Sequence, residues 1–251
     1  MDIWTWALLV AAAFAAGVLN AVAGGGSFLG FPALVFAGLP PVTANATNTV
    51  ALFPGSFASV YAYRREFQPI QGVGMAPMVA VSLVGSVIGA LLLMNTPESV
   101  FVALVPWLLL LATLVFAFGR RVTALVKDSV HLTPTALLCC QFVIAIYGGY
   151  YGGGVGILSM AAMTLFGLRD MHAMNAWKTL LSGSLNAIAT VTFVLGGRVV
   201  WAPALVMMVA AIIGGYIGAD VARKLPGEWV RRFVILTGVA MTAYFFGKLY
   251  L

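Results

Sequence analysis

Residues 20–27 read Asn20-Ala21-Val22-Ala23-Gly24-Gly25-Gly26-Ser27, and residues 148–156 read Gly148-Gly149-Tyr150-Tyr151-Gly152-Gly153-Gly154-Val155-Gly156. Each glycine triplet ends an apolar run and is followed by a run too short to cross a bilayer, 28–39 after the first and 155–167 after the second. Spanning the hydrocarbon core takes about 20 helical residues. Backbone groups in lipid must be hydrogen-bonded, so a glycine break at membrane depth survives only where protein or a wet cavity surrounds it. Two such breaks therefore predict a central site.

The rest of the chain repeats around them. Asn45-Ala46 recurs as Asn175-Ala176, Thr49 as Thr179, the segment 85–90 (Gly-Ser-Val-Ile-Gly-Ala) as 214–219 (Gly-Gly-Tyr-Ile-Gly-Ala), and Pro97 as Pro226. The matches keep their order, and their offsets drift only from 128 to 130. The chain thus divides into two halves, 1–127 and 128–251, forming one integrated membrane domain. Each half reads as a long run, a glycine break, a short run and three further spans. The further apolar runs are 44–63, 72–94 and 99–118 in the first half, and 174–195, 201–221 and 229–247 in the second. The run before the first break is 3–23, and the one before the second, 133–150, is marginal in length.

Composition supports a membrane environment. Of 251 residues, 62% are hydrophobic and 8% charged, against about 25% charged in a soluble domain. So few charges could not cover the surface of a water-soluble fold. The formal charge of +6 is not a nucleic-acid signal, because the thirteen basic residues fall mostly in short clusters between apolar runs, as in membrane loops. Met1-Asp2-Ile3-Trp4 lacks the positive region of a secretory signal, so the first run is expected to be a retained membrane segment. Cys139 and Cys140 are sequence neighbours, which do not face each other on a helix. No Cys/His metal spacing is present, and His131 and His172 read as interfacial residues.

Basic residues also choose between two topologies. If each broken run is one interrupted crossing, the halves are parallel and the cations split almost evenly. If each is a hairpin returning to its own side, the halves are inverted. Arg64, Arg65, Arg120, Arg121, Lys127, Arg169, Arg223, Lys224, Arg231 and Arg232 then share one side, leaving Arg198 and Lys248 on the other. Positive charge concentrates on the cytoplasmic side. The expected fold is therefore an all-α polytopic membrane protein of two inverted-topology repeats, each a glycine-broken helical hairpin plus three transmembrane helices. Both termini would lie outside a bacterial-type inner membrane, and such repeats with interrupted helices recur in secondary transporters.

The candidate site follows from the same pattern. A short helix starting after each triplet would aim free N–H groups and a positive dipole end at the centre, which suits an anion. Ser27 is placed to cap the first of them. Helical spacing puts positions 45, 48, 49, 52, 56 and 59 on one stripe and 175, 178, 179, 182 and 186 on another. Both stripes are polar within apolar runs, and polar groups in a membrane face protein or water. Lys178 stands out: a cation at the bilayer centre costs about 3 kcal/mol, and Asp170, the acid before it, is eight residues back. A bound anion would supply its partner; the competing reading lets Lys178 snorkel to the interface. The candidate binding residues are Asn20, Gly24, Gly25, Gly26, Ser27, Asn45, Asn48 and Thr49 from the first half. From the second they are Gly152, Gly153, Gly154, Asn175, Lys178, Thr179 and Ser182. No acid lies mid-span, and no phosphate-binding loop, catalytic triad or metal constellation is visible. The expectation is a transporter that is not an enzyme and uses no cofactor. A channel or a membrane assembly partner is the alternative.

The motifs Asn20–Ser27, Phe31-Pro32-Ala33-Leu34, Gly38-Leu39-Pro40-Pro41 and Ala44–Thr49 resemble the first-half signature of the TauE/SafE sulfite exporter family, also called the TSUP permeases. Tyr150–Gly156 and Asn175–Thr179 fit its second half, so the resemblance covers essentially the whole chain. It implies export or uptake of small sulfur-containing anions, with sulfite and organosulfonates such as sulfoacetate as substrates. The expected partners are that anion and the lipid bilayer, not nucleic acid, with a second copy of the chain, as a homodimer, also a candidate.

Overall fold

The computed structural model describes residues 1–22, 24–68, 70, 72–126, 133–166, 168, 170–222 and 227–250. Ten helices follow one another: α1 Ile3–Val22, α2 Ser27–Phe36, α3 Pro41–Ala62, α4 Met75–Asn95, α5 Glu98–Val126, α6 Pro134–Tyr150, α7 Val155–Leu165, α8 Met171–Leu195, α9 Trp201–Ala222 and α10 Gly227–Tyr250. Five of them, α1, α4, α5, α8 and α9, contain stretches long and apolar enough to cross a membrane. The 22-residue α3 is long enough, but Asn45, Thr47, Asn48, Thr49 and Ser56 lower its hydropathy. All five are buried inside the bundle, where a polar face belongs.

Glycine decides how the helices meet. Gly214 of α9 packs on Phe14 of α1, and a Cβ on Gly218 would stand 2.7 Å from the Val18 Cα. In α4, a Cβ on Gly85 would lie 2.7 Å from the Phe142 carbonyl of α6, and Gly89 packs on Ile146 and Tyr150. Small residues let membrane helices approach to backbone contact. The glycines matched in the two halves of the sequence thus play equivalent parts, with α9 seating α1 and α4 seating α6. In both pairs residue numbers rise together, so the partners run in the same direction. The remaining contacts also pair up, with α3 on α9 as α8 is on α4, while α3 packs on α8 and α5 on α10.

Two ends of the bundle can be followed from side-chain ties. At one, the Val42 N–H donates to Glu98 (2.8 Å), the Val200 N–H to the Thr47 hydroxyl (3.1 Å), and Arg198 to the Met94 carbonyl (3.3 Å). At the other, His172 stands 3.4 Å from Glu66, and the Trp177 indole donates to the Gln68 carbonyl at 2.8 Å. So α3 starts where α8 ends, and the two are antiparallel. His172 is exposed there, as an interfacial residue should be. His131, Lys127, Arg169, Arg223 and Lys224 lie outside the described residues, as do the side chains of Ser59, Arg120, Arg121, Asp220 and Arg231. Cys139 and Cys140 are both free and exposed on α6.

Between these ends, α1 and α2 form one hairpin around the first glycine triplet, and α6 and α7 another around the second. Gly24 and Gly152 make the turns with positive φ, +75° and +82°, which L side chains avoid. A large apolar cluster including Phe28, Phe31, Phe101, Tyr151 and Phe245 fills the end nearer α2. A smaller one around Met78, Leu137, Met163, Trp177 and Leu181 fills the end nearer α7.

Candidate functional site

The two breaks meet. A Cβ on Gly24 would lie 2.9 Å from the Gly156 Cα and 3.5 Å from the Lys178 Cδ, and one on Gly152 would lie 3.8 Å from the Ser27 hydroxyl. Beside this contact is a small cavity of about 20 Å³, measured as space open to the centre of a water molecule. That suffices for about one water.

Four elements supply its walls. The α1–α2 hairpin contributes Asn20, Gly24 and Ser27, and the α6–α7 hairpin contributes Gly152 and Val155. Helix α3 presents Thr49, Leu52 and Ser56, and α8 presents Lys178, Thr179, Ser182 and Asn186. Ser27 and Val155 are the first residues of the two short helices, so both N-terminal turns abut the cavity. The Phe28 and Leu29 N–H groups bond the Gly25 and Gly26 carbonyls, and those of Val155 and Ile157 bond the Gly152 and Gly154 carbonyls, so what the two turns bring to the cavity is the positive ends of their dipoles. Lys178 adds an amine, a cation when protonated, and the lining includes no acidic side chain.

Lys178 is 1% exposed, which rules out the snorkelling reading. Its Nζ donates to the carbonyls of Asn20 at 3.5 Å and Ala21 at 3.3 Å. These belong to the last turn of α1, whose dipole end is negative; the Asn20 carbonyl also accepts the Gly24 N–H at 3.2 Å. Asn45, on α3, does the equivalent for the other break: its Nδ2 donates to the Tyr150 carbonyl, the last of α6, at 3.1 Å. Each polar helix therefore holds the broken hairpin of the opposite half.

Of the residues expected from sequence, Asn20, Gly24, Ser27, Thr49, Gly152, Lys178, Thr179 and Ser182 line the cavity. The others stand behind the lining. The Gly26 N–H donates to Asn20 Oδ1 at 2.8 Å, which fixes the Asn20 side chain. Asn48 donates to the Ser27 hydroxyl at 3.2 Å. Gly25 is buried, Gly153 packs under the Tyr151 ring, and Gly154 packs against Ala112 of α5. Asn175 lies one turn before Thr179, whose hydroxyl bonds the Asn175 carbonyl at 2.9 Å. Thr49 and Asn45 repeat that bond at 3.0 Å. Ser27 does not cap α2, as its position suggested. The cap position is Gly26, without a side-chain bond, because Ser27 is already helical and its hydroxyl serves Asn48.

Leu52, Ser56, Val155 and Asn186 complete the lining. Leu52, Ser56 and Asn186 lie on the stripes that helical spacing defines, so that signal was available. Val155 owes its place to where α7 begins, which an apolar side chain does not announce.

A cavity between broken helices, walled by hydroxyls, amides and one buried lysine inside an apolar helical bundle, suits a membrane transporter. Residues 9–245 match the family described as Sulfite exporter TauE/SafE, and the chain belongs to that family. It is 30% identical over 240 residues to a probable membrane transporter protein of Haemophilus influenzae, covering 94% of this chain and 92% of the relative. A Sinorhizobium probable membrane transporter protein, ORF9, is 30% identical over 237 residues, covering 94% and 90%. The probable membrane transporter protein YfcA of Escherichia coli K12 is 29% identical over 234 residues, covering 92% and 86%.

Proposed function

We propose that the chain is a secondary transporter, and in direction an exporter, of small sulfur-containing anions such as sulfite or organosulfonates, sulfoacetate among them. It would work by alternating access around the cavity between two inverted repeats, residues 1–127 and 128–251. The observation that carries this is Lys178, buried against two neutral carbonyls at the point where both glycine breaks meet. The protonated amine so placed, with two helix N-termini beside it, would attract a small oxyanion. The sulfur chemistry rests on the family's description.

The inverted arrangement is supported by the exchanged packing of α1 on α9 and α6 on α4, and by the antiparallel crossing of α3 and α8. With positive charge on the cytoplasmic side, both termini would lie outside the inner membrane. Alternating access is favoured over an open channel because the cavity has room for about one water, so a larger oxyanion enters only if the halves rearrange.

The proposal is tested by binding and flux with purified protein. Calorimetry should detect saturable binding of sulfite or sulfoacetate, and liposomes should show trans-stimulated exchange, which a channel would not. Wild-type flux in Lys178→Ala, or no binding of either anion, would overturn the proposal.

A further inference from the structure

We propose that Lys178 couples transport to protons: the anion and one proton occupy the central site together, with the proton carried on Lys178 Nζ. This rests on the anion site proposed above and goes beyond it by naming the co-transported ion.

Neutral groups surround the amine. Nζ reaches two backbone carbonyls, Asn20 at 3.5 Å and Ala21 at 3.3 Å, and neither bears a charge. Among the described residues, the packed elements supply no carboxylate. The titratable side chain of α1 is Asp2, just before its first turn and bonded to Thr5. Helices α2, α4 and α7 carry none among their residues. On α3 there is Tyr61, exposed in its last turn. On α6, Cys139 and Cys140 are exposed, the Tyr147 hydroxyl donates to the Gly153 carbonyl at 2.7 Å, and the Tyr150 hydroxyl donates to Thr96 at 3.3 Å. Tyr151, beyond α6, is packed edge-on to Phe31 and Tyr147. On α8 itself, Asp170 and His172 sit at the end, where Asp170 caps the helix and His172 faces Glu66. The ammonium form of Lys178 thus has no anionic partner among the described residues.

A buried charge without a counter-charge is disfavoured, and an anion beside it removes that penalty. Binding of the anion and protonation of Lys178 therefore promote each other, and linkage makes the effect reciprocal. A proton from bulk water bonds to the Nζ lone pair as the anion arrives, and leaves when the anion departs. The lysine charge offsets one negative charge during the carrying step, easing its passage through a low-dielectric interior.

Occupancy raises the lysine's proton affinity, so anion binding is tightest at low pH, where the empty site is already protonated. As pH rises between the empty-site and occupied-site values, affinity falls by about tenfold per pH unit and each anion takes up about one proton. Above both values the dependence ends.

The experiment is calorimetric titration of the full chain in detergent with sulfoacetate, between about pH 6 and 9, in buffers of differing ionisation enthalpy. Neither acid group of sulfoacetate titrates in that range. Up to one proton taken up per anion is expected, together with the falling affinity. In Lys178→Arg, whose charge is permanent, binding of whatever strength should lose its pH dependence. A second measurement needs no variant: in liposomes, an imposed proton gradient should drive sulfoacetate accumulation, and a sulfoacetate gradient should move protons, read by an internal pH dye. Sulfoacetate binding with no proton uptake across the range, or flux indifferent to the proton gradient, overturns the coupling and leaves the anion site standing. Failure of both sulfoacetate and sulfite to bind at any pH overturns both.

Discussion

Gly24 and Gly156 meet backbone to backbone: a Cβ on Gly24 would lie 2.9 Å from the Gly156 Cα, and one on Gly156 would lie 3.0 Å from the Gly24 Cα. The two residues belong to different hairpins and different halves of the chain. Gly24 also lines the cavity, so the contact lies beside it, and any alternation of the halves must either preserve that contact or break it.

Gly24→Ala is therefore expected to abolish transport. Its φ of +75° costs an L residue about 1–2 kcal/mol, and the backbone clash adds about 1–3 kcal/mol. Gly38 is the control. It also has positive φ, +92°, but a Cβ there meets nothing within 4 Å. Gly38→Ala should lose only the conformational part and keep flux. Melting curves in detergent and liposome uptake distinguish the two, and equal flux in both variants would remove the special role of the Gly24–Gly156 contact.

Much of this was legible in the sequence, and the reason is duplication. One Gly-Gly-Gly is weak, but two at an offset of 128 located both turns that touch in the fold. Helical spacing likewise found Thr49, Lys178, Thr179 and Ser182 on the cavity wall, because a polar stripe has nowhere else to go in an apolar bundle. What could not be read is which polar group faces the cavity and which holds a neighbour. Asn45 and Lys178 both secure the end of a broken helix, yet only Lys178 also lines the cavity. That distinction depends on where carbonyls 20, 21 and 150 end up, and these are tertiary facts. The capping role expected of Ser27 failed for the same reason: capping rules assume a boundary, and the helix began one residue earlier in effect, with Gly26 at the cap.

Asn45→Ala should loosen the α6–α7 break without removing a lining group. It strips the Tyr150 carbonyl of its side-chain donor at a position where Asn45 is 1% exposed. An unsatisfied buried acceptor costs about 1–3 kcal/mol. The expected result is a lower melting temperature in detergent with anion affinity changed by less than about threefold at a temperature where the variant is folded. A large affinity loss with an unchanged melt would place Asn45 in direct contact with ligand instead.

Ser182→Ala should do the reverse. The Ser182 hydroxyl lines the cavity and has no hydrogen-bond partner among the described residues. Removing it therefore breaks no native bond, and stability should hold or rise slightly. If the hydroxyl donates to the transported anion, affinity falls by about 10- to 150-fold, since a hydrogen bond to a charged group contributes about 1.5–3 kcal/mol. Calorimetry with sulfite and sulfoacetate measures this. Unchanged affinity for both would place the anion away from α8's second polar turn.

Acid sensitivity should trace to the start of α8. Asp170 caps that helix, accepting the Ala173 N–H at 2.8 Å, and this backbone bond holds its carboxyl below the ordinary carboxylate value. A depressed folded-state pKa contributes stability that is complete above the unfolded value, about 3.9, and is lost as pH falls through the folded one. Asp170→Asn keeps a cap acceptor but cannot titrate, so its melting temperature should change less than that of the wild type between about pH 5 and pH 3. Asp170→Ala loses the cap at every pH. Because α8 carries Lys178 two turns further on, the alanine variant should also weaken anion binding at neutral pH, whereas the asparagine variant should not. Identical acid-dependent melting in wild type and Asp170→Asn would assign the sensitivity to another carboxylate.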